Sequence, residues 1–120
     1  NWLPDPIEWV DGSGISRYNM LTPRTLIAIL RKIYNRVGIQ TIKNYFPQTG
    51  LSGTVKKFNL KNVYAKTGTL RNNHNLSGYW ISPSGKTYVF SIMANHFTSP
   101  KAEISVAIVE VLNKFQKKLK

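Results

Sequence analysis

A chain of 120 residues with 42% hydrophobic and 12% aromatic side chains has the size of one globular domain, residues 1–120, and no apolar run approaches the roughly 20 residues of a membrane-spanning helix. Seventeen Lys and Arg against five Asp and Glu give a charge of +12, so its partners should be anionic, and the lack of cysteine excludes a disulfide framework and a thiolate metal site. The five acids are Asp5, Glu8, Asp11, Glu103 and Glu110, so residues 12–102 contain no carboxylate pair for glycoside hydrolysis, no carboxylate ligand for a hard cation and no acidic partner for a histidine base.

The opening NWLPDP is extended and proline-rich, with neither the basic nor the apolar region of an export signal. A start of this kind, without methionine, is expected of a processed product or of a piece of a longer chain. Asp11-Gly12-Ser13-Gly14 follows, on local grounds an Asx turn with two permissive glycines. LTPRTLIAILRKIYNRVG predicts a helix with Thr22 as N-cap and Pro23 at its first position. Its apolar face is Leu26, Ile27, Ile29, Leu30, Ile33, Tyr34 and Val37, and it ends at Gly38. IQTIKNYF predicts a shorter helix stopped by Pro47, QTGLSG a turn, and residues 56–61 a basic linker. Three strand-like runs come next, NVYAKTGTL, NLSGYWIS and KTYVFSIMANHF, joined by the hairpin-like connectors RNNH and PSG. The last segment, from Pro100 on, has an acid in its first turn and lysines at its end, the polarity that a helix dipole favours. The order predicts an α+β domain of three antiparallel strands with helices packed on the sheet. One face of that sheet is expected to be covered, leaving apolar strand and helix positions in want of partners.

The first strand carries AKTGTL, and lysine and glycine both weaken a strand, so the pair points to an edge where Lys66 reaches water or a bound anion. Edge strands with small residues also admit an extended peptide by main-chain pairing. Alone, Lys-Thr-Gly reads as a solvated edge lysine beside a turn. Together, however, DGSGISRYNMLTPRTL, LSGTVK, YAKTGTL and NLSGYW, in that order and spacing, resemble the D-alanyl-D-alanine carboxypeptidase/endopeptidase family of low-molecular-mass penicillin-binding proteins. The resemblance runs from about residue 10 to residue 97.

It implies the C-terminal part of a penicillin-binding/serine β-lactamase-like transpeptidase fold, and a serine acyl-enzyme mechanism on the D-Ala-D-Ala end of peptidoglycan stem peptides, which β-lactams mimic. In that scheme Lys66 meets the substrate's terminal carboxylate, Thr67 adds a hydroxyl donor, and Gly68 lets the backbone approach. The N–H of Thr69 supplies half of an oxyanion hole, so its side chain is free to vary. Asp11, Ser13 and Arg17 of DGSGISR are expected to support the site from behind. No cofactor or metal is implied. The family's nucleophile lies in a Ser-x-x-Lys motif and its second motif is Ser-x-Asn; no serine of this chain fits either. Both motifs precede DGSGISR-like sequences in the family, so the chain is expected to be the C-terminal portion of a longer enzyme, with no catalytic residue and no acyl-transfer activity of its own. Its expected partners are that N-terminal remainder, peptidoglycan peptide and β-lactams, with self-association of the chain by itself and a location in the cell envelope, periplasmic or extracytoplasmic.

Other conspicuous residues read as structural. His74 falls in the polar turn RNNHN and His96 at a strand end, neither with ligand spacing. Trp2, Trp9 and Trp80 fit either a binding shelf or a core. The tail KFQKKLK fits a solvated helix end, or a patch for anionic polymer or lipid. Two rival functions remain: a basic nucleic-acid module with Tyr64, Tyr79, Trp80 and Tyr88 interleaved on strands, and a non-catalytic peptidoglycan-binding module. Nucleic acid is not the expected partner, since no recognised motif accompanies the charge.

Overall fold

The computed structural model describes residues 2–119. Its elements are α1 (Pro23–Tyr45), one 3-10 turn (Gly53–Val55), β1 (Val63–Leu70), β2 (Asn73–Ile81), β3 (Thr87–Asn95) and α2 (Lys101–Lys118).

α1 starts as its sequence predicts. Thr22 has extended backbone and its hydroxyl accepts from the Thr25 amide at 3.1 Å, while Pro23 fills a position whose N–H would have no helical acceptor. Asp5 fastens this end: its carboxylate accepts from the Thr22 hydroxyl at 2.5 Å and pairs with Arg24, and the Arg24 guanidinium holds the Asp5 carboxyl below the usual carboxylate range. At Gly38, φ 75° and ψ 168° break the spiral for one residue, after which it resumes through Tyr45. The two expected helices are therefore arms of one kinked element, with glycine at the residue whose positive φ a Cβ would oppose.

The strands form an antiparallel sheet in the order β1-β2-β3, which puts β1 at an edge as expected. Its connection to β2 is shorter than RNNH. Leu70 pairs with Asn73, so only Arg71 and Asn72 make the turn, and Asn72 takes φ 62° with its amide donating to Phe97 O at 2.8 Å. Asparagine tolerates that left-handed conformation better than most residues. Asn73 and His74 consequently belong to β2, which corrects the placement of His74 in a polar turn.

Side chains alternate across a strand, and the register assigns the faces. Val63, Ala65, Leu76 and Trp80 share one face with Tyr88, Phe90 and Ile92, and bury against Ile108 and Leu112 of α2 together with Val55, Phe58 and Leu60. Tyr79 and Val89 share the other face and pack on Leu26, Leu30 and Ile33 of α1. The Tyr79 phenol, pushed up to about 12 by burial, donates to Leu30 O at 2.7 Å. Each face thus carries its own helix, which corrects the expectation of a single covered face. The physical reason is that the cross-strand row Tyr64, Tyr79 and Val89 gives the second face an apolar patch of its own to bury.

Candidate functional site

β1 is an open edge over only part of its length. Residues 47–49 run along its first half: Ala65 N donates to Pro47 O at 3.0 Å, Thr49 N donates to Val63 O at 3.0 Å, and the buried Thr49 hydroxyl donates to Leu60 O at 2.7 Å. Main-chain groups alternate in direction along a strand, so if the Ala65 N–H points away from β2, those of Thr67 and Thr69 do too. Residues 47–49 do not extend that far. Among the described residues, neither of these two amides meets an acceptor.

Around this opening the motif supplies further donors. Lys66 is exposed, and its ammonium donates to Thr67 O at 3.0 Å. The Thr67 hydroxyl lies 2.5 Å from that of Thr54, which the 3-10 turn carries. A Cβ on Gly68 would meet nothing nearer than Asn75 Nδ2 at 4.0 Å, so glycine here keeps the strand's surface low rather than relieving an internal clash. Thr69 is exposed, with its hydroxyl 2.8 Å from His74 Nδ1. One ammonium, two outward amides and the neighbouring hydroxyls within four residues make a surface suited to a carboxylate beside a developing oxyanion.

The DGSGISR loop is organised differently. The Asp11 carboxylate accepts from Gly14 N at 2.9 Å, Ser16 N at 3.1 Å, Asn19 Nδ2 at 3.1 Å and Ser13 Oγ at 3.2 Å, and the Asn19 bond chiefly holds its carboxyl below the usual range. Asn19 Oδ1 accepts in turn from Val10 N at 2.7 Å. Among the described residues, the side-chain hydrogen bonds of Asp11 and Ser13 close within residues 11–19, and Arg17 is exposed. The structure therefore brings Lys66, Thr67, Gly68 and Thr69 together on β1 and shows Asp11 and Ser13 as the centre of a self-closed turn.

Sequence reasoning missed two neighbours of this surface. Thr54 sits in the quoted LSGTVK stretch but its contact with Thr67 depends on how the chain folds back. His74 was legible in part, because the alternation of Leu76, Gly78 and Trp80 extends back to it once the turn is shortened to two residues. It is buried, with its ring neighbouring Thr69, Ser105 and Phe58. Burial, reinforced by the Lys101 and Lys57 charges, lowers its pKa below the ordinary 6.5. The unfolded chain then binds a proton more readily than the folded one, so this group's contribution to stability is complete above about pH 6.5 and is lost as the pH falls through its folded value. The melting temperature is expected to fall between about pH 7 and pH 5, and His74→Gln to remove that part of the slope, as thermal denaturation at both pH values would record. His96, by contrast, is exposed just past β3.

The family model of D-Ala-D-Ala carboxypeptidase 3 (S13) matches residues 5–115, and this chain belongs to that family. It is 34% identical over 116 residues to the penicillin-sensitive carboxypeptidase A of Dictyostelium discoideum, covering 86% of the chain and 22% of the relative. It is 31% identical over 100 residues to D-alanyl-D-alanine carboxypeptidase DacB of Haemophilus influenzae, covering 78% of the chain and 21% of the relative. With the D-alanyl-D-alanine carboxypeptidase of Actinomadura sp. strain R39 the identity is 34% over 100 residues, covering 75% and 18%. The chain thus spans about a fifth of the length of the curated relatives it matches. The crystal structure of penicillin-binding protein 4 (dacB) from H. influenzae superposes with a TM-score of 0.78 at 27% identity, over 88% of this chain and 26% of that one. A structure of the same protein complexed with a novel β-lactam superposes with a TM-score of 0.77.

Proposed function

We propose that this chain is the C-terminal portion of a serine-type D-Ala-D-Ala carboxypeptidase/endopeptidase of the cell envelope, acting on peptidoglycan stem peptides through an acyl-enzyme that β-lactams also form. Its own task is to hold the substrate. The observation that carries this reading is the stretch of β1 beyond Ala65, where the outward amides of Thr67 and Thr69 meet no acceptor among the described residues, beside the exposed Lys66. An extended peptide pairs with that edge, Lys66 takes its terminal carboxylate, and the Thr69 N–H faces the carbonyl oxygen that becomes an oxyanion. Gly68 leaves room for the peptide backbone. Asp11, Ser13 and Arg17 support the site indirectly, by shaping the turn that leads into α1. The attacking serine and its lysine base come from outside these 120 residues, where an N-terminal portion also packs on the exposed Trp9, Ile15, Tyr18 and Met20. Self-association of the chain by itself belongs to the same reading, since such a surface is seldom left open.

A nucleic-acid platform built on the strand aromatics is disfavoured by where those four rings lie. Tyr79 and Trp80 are buried, Tyr88 stacks on Trp80 at 5.0 Å between ring centroids, and Tyr64 faces the Lys43 ammonium. Base stacking needs exposed ring faces. Intact-mass spectrometry after incubation with a β-lactam tests the proposed function: the longer enzyme gains one adduct per chain, and the 120-residue chain gains none. A stoichiometric adduct on a serine of the isolated chain would overturn the assignment of its role.

A further inference from the structure

A buried imidazole links the open end of β1 to α2. His74 Nδ1 lies 2.8 Å from the Thr69 hydroxyl and Nε2 lies 3.1 Å from the Ser105 hydroxyl, so a single ring bridges the strand edge and the first turns of the helix. The ring is 1% exposed, and Phe58 meets it edge-on at 6.5 Å between centroids. The charges that act on it are both positive, Lys57 from the linker before β1 and Lys101 from the start of α2. Lys66 projects from the other face of the sheet, by the alternation of β1. A neutral imidazole has one donor and one acceptor, so one of the two hydroxyls donates to the ring and the other accepts from it. Thr69 is the point where this matters. It stands one residue short of the two-residue turn, with Leu70 between, on the part of β1 whose outer edge pairs with no main-chain segment among the described residues, and its own amide faces the opening.

We propose that His74 is a positioning residue: through the Thr69 hydroxyl it fixes the open end of β1, and with it the Thr69 amide, against α2. The side chain of Thr69 is then part of the site's support and not free to vary. This inference rests on the proposed function in treating that amide as an oxyanion donor, whose worth depends on placement to a fraction of an ångström.

Two isosteric replacements separate the two bonds. Asparagine places an amide where Nδ1 sits and glutamine places one where Nε2 sits, so His74→Asn keeps a partner for Thr69 and His74→Gln keeps one for Ser105. In the longer enzyme, the acylation rate with a β-lactam is expected to fall about tenfold in His74→Gln and in Thr69→Val, no further in the double variant, and by less than about threefold in His74→Asn. Additive losses in the double variant, or a His74→Asn enzyme no better than His74→Gln, overturn the proposal. So does a parent rate retained in all of them. The NMR shift of the Thr69 amide is read in the same proteins whether or not they react. It moves in His74→Gln and stays near its parent position in His74→Asn, and an unmoved signal in His74→Gln overturns the positioning. If the His74 variants do not fold, Thr69→Val, at an exposed position, still decides: it shifts the His74 ring signals if the two are bonded, and leaves them if they are not. An enzyme that takes up no β-lactam at all contradicts the proposed function, and these NMR arms then decide the positioning separately.

Discussion

Lys66→Ala is expected to slow acylation by a β-lactam ~100-fold in the longer enzyme while leaving its melting temperature almost unchanged. The first part follows from the proposed function, in which Lys66→Ala loses a charge-assisted contact to the ligand's carboxylate, worth about 1.5–3 kcal/mol when made by a charged group in a partly desolvated site. The second follows from the position of Lys66, which is exposed and whose ammonium bonds only a neighbouring carbonyl oxygen among the described residues. Stopped-flow or quenched acylation kinetics, with thermal denaturation alongside, read both quantities. Acylation at the parent rate would remove Lys66 from the site. A large loss of stability would mean that the lysine has a structural use that its exposure does not suggest.

The largest effect on stability is expected at Gly78, in the central strand. A Cβ there would lie 2.2 Å from Tyr64 O, 2.6 Å from Ala65 Cα and 2.8 Å from Ala65 Cβ, so β1 and β2 cannot keep their spacing around it. Overpacking against backbone costs about 3 kcal/mol or more, which for a domain of this size lowers the melting temperature by roughly 10 °C. Because Ala65 directly precedes Lys66, the same displacement carries the binding strand with it, and β-lactam acylation should fall as well. Gly68→Ala is the matched control. Its Cβ would have open space around it, so stability should hold while a methyl group in the groove impedes the ligand. Equal melting temperatures for the two variants would contradict this account of the strand pair.

These two glycines show how far the sequence could be read. Both stand in motifs of the sequence, AKTGTL and NLSGYW; the family resemblance marks Gly68 as a place of close approach, and nothing in the letters sets Gly78 apart as one held against a neighbouring backbone. That distinction depends on the register Ala65↔Gly78, a pairing between segments separated in the chain. What was legible rested on local chemistry. Thr22 and Pro23 announce α1, the strand-like runs set off by the connectors RNNH and PSG announce β2 and β3, and a lysine inside β1 announces an edge. Lost were the features set by long-range pairing: residues 47–49 covering half of that edge, Thr54 meeting Thr67, and α1 and α2 taking opposite faces. His74 was misplaced for a smaller reason, because RNNH looks like a four-residue turn until Asn72 is allowed a positive φ and closes the hairpin in two. The DGSGISR loop was legible twice over, as an Asx turn from its residues and as a family motif by resemblance. Its hydrogen bonds follow the first description.

On the proposed division of labour, residues 1–120 hold the substrate and another part of the same enzyme attacks it. Peptide mapping of the β-lactam-treated longer enzyme tests that most directly. A single modified serine is expected, lying in a Ser-x-x-Lys sequence outside these 120 residues. A modified serine within residues 1–120 would contradict it, as would an enzyme that carries this chain and acquires no adduct.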